Sequence, residues 1–241
     1  MDPMTPRALF FDMDDTLLDG ITAMQTAWGI VCAEAAADLD CDAGTLREAI
    51  RRESAEFWKD ESAVEKEWRT RLLEARELCV GRALAAEGLD TAPAATIARR
   101  YSEEHRAHLA LFPDAIETLE AVKGSGLRLG LLTNGPAYLQ RDKIARFGLE
   151  PYMDVIVIEG EFGQGKPHPR VFAHALASVG ADAAHAWHVG DNLYADVGGA
   201  KAAGIYGVWI HRGRMEIRED APAVPDRVIA HLAELREPLG I

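Results

Sequence analysis

Seven polar side chains in this sequence stand at or just beyond the ends of apolar runs, and their types point to one kind of chemistry. Asp12 and Asp14 close the run Phe10-Phe11-Asp12-Met13-Asp14-Asp15-Thr16. Thr133 and Asn134 stand in Thr133-Asn134-Gly135, Lys166 in Lys166-Pro167, Asp191 in Gly190-Asp191-Asn192, and Asp196 five residues further on. A carboxylate can serve as nucleophile, as general acid and base, or as ligand to a hard cation. A lysine, a hydroxyl and backbone N–H groups can hold an anion. Gathered in one crevice, four carboxylates repel one another strongly at low dielectric. Either their pKa values rise or a cation neutralises them. Mg²⁺, hard and oxygen-seeking, is the natural resident, and it draws in phosphate oxygens as well.

The elements that would bring these residues together are legible as apolar runs at 8–11, 127–132, 155–158, 186–189 and 206–210. Continuous apolar runs of this length suit strands buried on both faces, as in a parallel sheet. Helical spacing separates the last four. Ile116, Leu119 and Val122 share one face of a helix over 114–123. Leu139, Ile144 and Phe147 follow Pro136, Val171, Phe172, Leu176 and Val179 follow Pro169, and a further helix covers 195–203. Alternating strand and helix predicts a doubly wound, Rossmann-like α/β sheet. Ligands of such sheets bind outside the carboxyl ends of the strands, where the seven residues stand.

The first crossover differs. Between Thr16 and Phe112 the chain is rich in Ala, Glu and Arg, with Leu46, Ile50, Ser54 and Phe57, then Trp68, Leu72, Ala75 and Cys79, recurring every three or four residues. That is too long for one connection. It reads as an all-helical domain at 19–111 inserted into a core formed by 1–18 and 112–241, with Pro113 marking the return. From Pro225 the chain could add a short edge strand and a closing helix.

The bulk properties narrow the partners. The chain has 241 residues, 48% of them hydrophobic and 27% charged, as in ordinary soluble proteins, and a formal net charge of -13. Such a surface repels nucleic acid and anionic membranes. A phosphate ester would be repelled too, unless a bound cation and Lys166 make the site locally positive. Cys32, Cys41 and Cys79 form no C-x-x-C pair, and their odd number suits reduced thiols. No apolar run approaches the roughly 20 residues of a membrane span, and the N-terminal run is too short and wrongly flanked for a signal peptide. A cytoplasmic protein is expected.

With the four clusters in view, the sequence resembles the haloacid-dehalogenase-like hydrolase superfamily. The D-x-D-x-T run at Asp12, Asp14 and Thr16 comes first, then Thr133, then Lys166, then Gly190-Asp191 with Asp196. The resemblance spans positions 12 to 196, and the helical insertion lies where that family carries an α-helical cap. It implies that Asp12 attacks phosphorus to form an aspartyl-phosphate. Asp14 would protonate the leaving alkoxide and then take a proton from the hydrolytic water. Thr133 and neighbouring N–H groups would hold phosphoryl oxygens, with Asn134 counted in the catalytic set, and Lys166 would offset charge. Mg²⁺ would be held by the Asp12 carboxylate, the Asp14 main-chain carbonyl and Asp191. Asp196 would orient Lys166 or a metal-bound water. Dehalogenases of the family lack a carboxylate two residues after the nucleophile, so Asp14 favours phosphate chemistry. The expected activity is hydrolysis of a small phosphorylated metabolite, possible classes being a nucleoside monophosphate or a sugar phosphate, by a monomer or homodimer. A phosphomutase and a non-catalytic binding protein on the same fold are the alternatives.

Other features read as structural. Gly160 to Lys166 nearly spells a P-loop, but Pro167 stands where a hydroxyl residue is needed. Asp15 and Asp19 read as surface carboxylates, and His168, His188 and His211 as structural, though His168 could border the pocket. Trp28, Phe57, Trp58 and Trp68 could offer a stacking surface, but at helical spacing they read first as core.

Overall fold

A computed structural model describes residues 6–59, 68–213 and 223–241. Six strands form one parallel sheet: β1 (Ala8–Phe11), β2 (Arg128–Thr133), β3 (Val155–Ile158), β4 (Ala186–Gly190), β5 (Tyr206–Ile210) and β6 (Arg227–Ile229). Their order is β3-β2-β1-β4-β5-β6. The chain winds outward from β1 in both directions, so the strand order reverses between β1 and β4. That reversal is where open α/β sheets bind ligands. Phe11 lies opposite Val189 in the β1–β4 register, and the Asp12 N–H donates to the Val189 carbonyl at 2.9 Å. Asp12 and Asp191 therefore emerge side by side at the switch point. The strands are nearly continuous apolar runs because helices cover both faces of a parallel sheet.

The chain divides into two compact units, residues 19–110 forming one and the flanking segments the other. The described part of 19–110 is helical: α1 (Gly20–Leu39), α2 (Ala43–Phe57), α3 (Leu72–Ala86) and α4 (Ala94–His108). Asp19 and Asp42 accept from the N–H groups of Thr22 and Thr45 and cap the first two helices. The core of this unit joins Ala27, Val31, Leu46, Ile50, Val80, Leu84 and Ile97. Trp28 stacks on Tyr101 at a centroid distance of 4.0 Å. Phe57 is buried with Ala75 and Cys79, and Trp58 and Trp68 pack against that cluster. The four aromatic residues are thus engaged in the packing of their own unit.

In the sheet unit follow α5 (Ala115–Gly124), α6 (Ala137–Arg146), the single turn α7 (Glu159–Phe162), α8 (Pro169–Val179), α9 (Gly199–Ala202) and the C-terminal turn α10 (Arg236–Leu239). One expectation is corrected. The helix over 195–203 is not a uniform α-helix. Leu193–Gly198 is a π-helical turn that passes into α9. The Asn192 side chain accepts from the N–H groups of Tyr194 and Ala195, and its carbonyl accepts from both Asp196 and Val197. The wider turn swings Asp196 inward, a use often made of single π turns at functional sites.

Candidate active site

At the switch point Asp12, Asp191 and Asp196 bring one carboxylate oxygen each within 4.8 Å of the others. Lys166 crosses from the loop after β3 and donates to Asp12 Oδ1 and Asp196 Oδ1, each at 2.6 Å. Asp12, Lys166 and Asp196 are buried, and Asp191 is half-buried. Asp196 is fully engaged: besides Lys166 it meets His188 Nε2 at 3.0 Å, and its Oδ2 accepts from the Asn192 N–H at 3.0 Å. It packs so closely on Gly190 that a Cβ there would sit 2.2 Å from its Cγ. Glycine at 190 is therefore a condition for the Asp196 position.

The charges do not balance. Burial pushes Asp12 up to about 7 despite Lys166. Burial and the Asp12 charge push Asp191 well above the usual carboxylate range. Burial would raise Asp196 too, but Lys166 and the His188 hydrogen bond outweigh it and hold it low. Burial would likewise depress Lys166, yet Asp12 and Asp196 hold it above the usual lysine range. His188, also buried, is held below the ordinary histidine value, so its neutral Nε2–H form donates to Asp196. If all three carboxylates are ionised, one ammonium satisfies one of them and two negative charges remain among Asp12, Asp191 and Asp196, a surplus that the raised Asp12 and Asp191 relieve by holding protons. Two carboxylates with that surplus, presented on oxygen donors alone, fit one hard divalent cation.

Asp14 lies in different surroundings. Its Oδ1 and Oδ2 accept from Lys143 Nζ at 2.7 and 2.9 Å, and Oδ2 also accepts from Gln140 Nε2 at 2.9 Å. Both donors belong to α6. Asp15 beside it takes a left-handed φ of 59°. Thr133, buried at the end of β2, accepts from Gln140 Nε2 at 2.5 Å. Asn134 turns its side chain to the main chain of Lys166: Oδ1 accepts from the Lys166 N–H at 2.7 Å, and Nδ2 donates to the Lys166 carbonyl at 2.8 Å. The Gly135 N–H is held by Glu159 at 2.8 Å. Asn134 thus seats the lysine-bearing loop, and one of the turn's N–H groups is already used within the protein.

All seven residues singled out from sequence stand at the carboxyl edge of the sheet. Asp12, Lys166, Asp191 and Asp196 form one cluster, and Asp14 and Thr133 meet through Gln140. Four contributors were not anticipated: Gln140, Lys143, Glu159 and His188. A histidine inside the apolar run of β4 was the available signal for His188. The P-loop resemblance of Gly160 to Lys166 has no counterpart in space, because the segment forms the turn α7 and Lys166 points to Asp12. His168 caps α8, its Nδ1 accepting from the Arg170 N–H at 3.3 Å. Among the described residues, no helix is long and apolar enough to cross a membrane.

The chain is 34% identical to phosphoserine phosphatase of Thermus thermophilus, over 95% of this chain and 97% of that protein. It is 32% identical to glyceraldehyde 3-phosphate phosphatase of Methanopyrus kandleri, over 95% of each chain. In fold it is similar to a HAD-hydrolase of Bacillus subtilis crystallised with magnesium, with a TM-score of 0.78 at 24% identity over 98% of this chain and 99% of the other. The family model of haloacid dehalogenase-like hydrolases matches residues 6–204. This chain belongs to the haloacid dehalogenase-like hydrolase family.

Proposed function

We propose that this protein is a Mg²⁺-dependent phosphatase that hydrolyses a small phosphate monoester through an aspartyl-phosphate on Asp12. The observation that carries the reading is the two-charge deficit at Asp12, Asp191 and Asp196 around a buried Lys166. In the first step a carboxylate oxygen of Asp12 forms the bond to phosphorus as the ester P–O bond breaks. Asp14 gives its proton to the departing oxygen and later takes one from the water that cleaves the acyl phosphate. Thr133 donates to a phosphoryl oxygen, and Lys166 offsets charge on Asp12 and on the transferring group. Asp196 and His188 keep Lys166 in place. Asp12, Asp191 and the Asp14 main-chain carbonyl would hold Mg²⁺, which when bound neutralises the carboxylates and attracts phosphoryl oxygens.

The helical unit is, in this reading, the α-helical cap that selects the substrate. The protein acts in the cytoplasm as a monomer or homodimer, on a small metabolite and on neither nucleic acid nor membrane. The curated relatives make phosphoserine and glyceraldehyde 3-phosphate the first substrates to try, beside nucleoside monophosphates, sugar phosphates and phosphoglycolate. Phosphate release from this panel with Mg²⁺, abolished by EDTA and restored by Mg²⁺, is the expected result. Full turnover in EDTA would sink the mechanism, and an isomerised product without phosphate release would make the protein a mutase.

A further inference from the structure

We propose that Gln140 and Lys143, one turn apart on α6, are positioning residues: Lys143 holds the Asp14 carboxylate, and Gln140 couples it to the Thr133 hydroxyl. The inference rests on the general-acid role proposed above for Asp14. It starts from a division of labour on α6. Arg141 leaves the site to pair with Glu161 at 2.6 and 2.7 Å, and Arg146 lies over the Phe147 ring. Lys143 instead sends its ammonium to both oxygens of Asp14, with only 18% of its side chain exposed. Residues three apart on a helix share a face, so Gln140 meets the same carboxylate.

Gln140 is buried, and the identity of its partners fixes which way its amide lies. Nε2 reaches Asp14 Oδ2 at 2.9 Å, the Asn134 carbonyl at 2.8 Å and Thr133 Oγ1 at 2.5 Å. A carboxylate and a carbonyl only accept, so the donor end of the amide must face them. Thr133 meets that same nitrogen; the amide has two protons for three acceptors, so one is shared, and because an amide nitrogen accepts nothing the Thr133 hydroxyl cannot donate there. Its single proton is directed elsewhere, available to a phosphoryl oxygen. One amide thereby sets the sense of the phosphate-binding hydroxyl and anchors the acid beside it. Asp14 has to address first the leaving oxygen and then a water. Holding both its oxygens from one helix face limits the rotamers it searches between those tasks.

Leaving-group dependence separates this role from a merely structural one. Phenyl phosphate leaves as a far more basic phenoxide than 4-nitrophenyl phosphate and depends more on proton donation. We would measure kcat and KM on both esters for the wild type and for Asp14→Asn, Lys143→Met, Lys143→Arg and Gln140→Met, with melting temperatures as a check on folding. Lys143→Met is expected to lose ~10-fold or more in kcat on phenyl phosphate but under ~3-fold on 4-nitrophenyl phosphate, with KM within ~2-fold. Lys143→Arg should recover most of the loss. Gln140→Met should move in the same direction and add a loss common to both esters, through Thr133. Equal losses on the two esters for Lys143→Met, or a raised KM with unchanged kcat, would overturn the proposal. The second of these would make Lys143 a substrate-binding cation. If Asp14→Asn itself fails to distinguish the esters, the general-acid reading falls instead, and that control tells the two failures apart. Should Lys143→Met not fold, Lys143→Gln carries the same comparison.

Discussion

Asp12 and Asp14 stand two residues apart and live under opposite electrostatic conditions. Asp12 is buried beside two further carboxylates, with one ammonium shared among them. Asp14 keeps 36% of its side chain exposed and meets an ammonium and an amide of its own. The first cluster lacks positive charge and the second does not. The same side chain can therefore be assigned two tasks from its surroundings alone. Where charge is in deficit, a cation and a nucleophile belong together. Where an ammonium already pairs with the carboxylate, the ionised form is favoured, the form that takes a proton from water.

The largest expected effect comes from breaking this difference at Asp12. Asp12→Asn should fold normally and lose ~10⁴-fold or more in kcat, because no other carboxylate can take its place on phosphorus. Asp14→Asn should lose less, and most on esters with basic leaving groups. An active Asp12→Asn would end the covalent reading.

Stability measurements sharpen the contrast between the two lysines. Lys166→Met leaves Asp12 and Asp196 buried without their partner and should cost about 3–5 kcal/mol in urea unfolding. Lys143→Met removes a half-exposed pair and should cost about 1 kcal/mol or less. Similar losses for the two would mean that burial does not separate the clusters as described.

A smaller effect concerns pH. With EDTA present, folded Asp12 holds its proton up to about pH 7, whereas the unfolded carboxyl releases it near its ordinary value of 3.8. The folded state binds the extra proton within that window, so stability falls as pH rises through it. Asp191 acts in the same direction. His188, held below the ordinary histidine value, opposes this fall up to about pH 6.5 but is one group against two, while the lowered Asp196 and the raised Lys166 change stability only at more acidic and more alkaline pH, respectively. Melting temperature in EDTA should therefore drop between about pH 5 and pH 7. Added Mg²⁺ should flatten that drop, since the cation takes over from the proton. A metal-free protein whose stability rises over this window would contradict the charge deficit.

Much of the site could be read from sequence because the sheet presents the ends of its strands to one edge. Once 8–11, 127–132 and 186–189 are recognised as buried strands, Asp12, Thr133 and Asp191 have nowhere else to go. Gln140 and Lys143 were not legible for the opposite reason. They lie on a helix that also carries Arg141 and Arg146, and composition alone does not say which of its cations face inward. The π turn at Leu193–Gly198 has no periodic signature either, since it follows from how Asn192 caps the segment. The aromatic residues of the helical unit were read first as core, and their packing within that unit agrees. What that unit selects is written in side-chain shape, which the spacing of apolar residues does not encode.

The reach of Lys166 bears on how the protein is made. Its two carboxylate partners lie 154 residues upstream and 30 residues downstream in the chain. On a ribosome, β1 and its aspartates emerge first, and the helices after them are joined by contacts close in sequence, of the kind that form early. Asp12, the proposed nucleophile, must wait for Lys166 and then for Asp196. A nascent chain halted before residue 196 lacks the group that keeps the lysine in place, so the proposed hydrolysis would begin only late in translation.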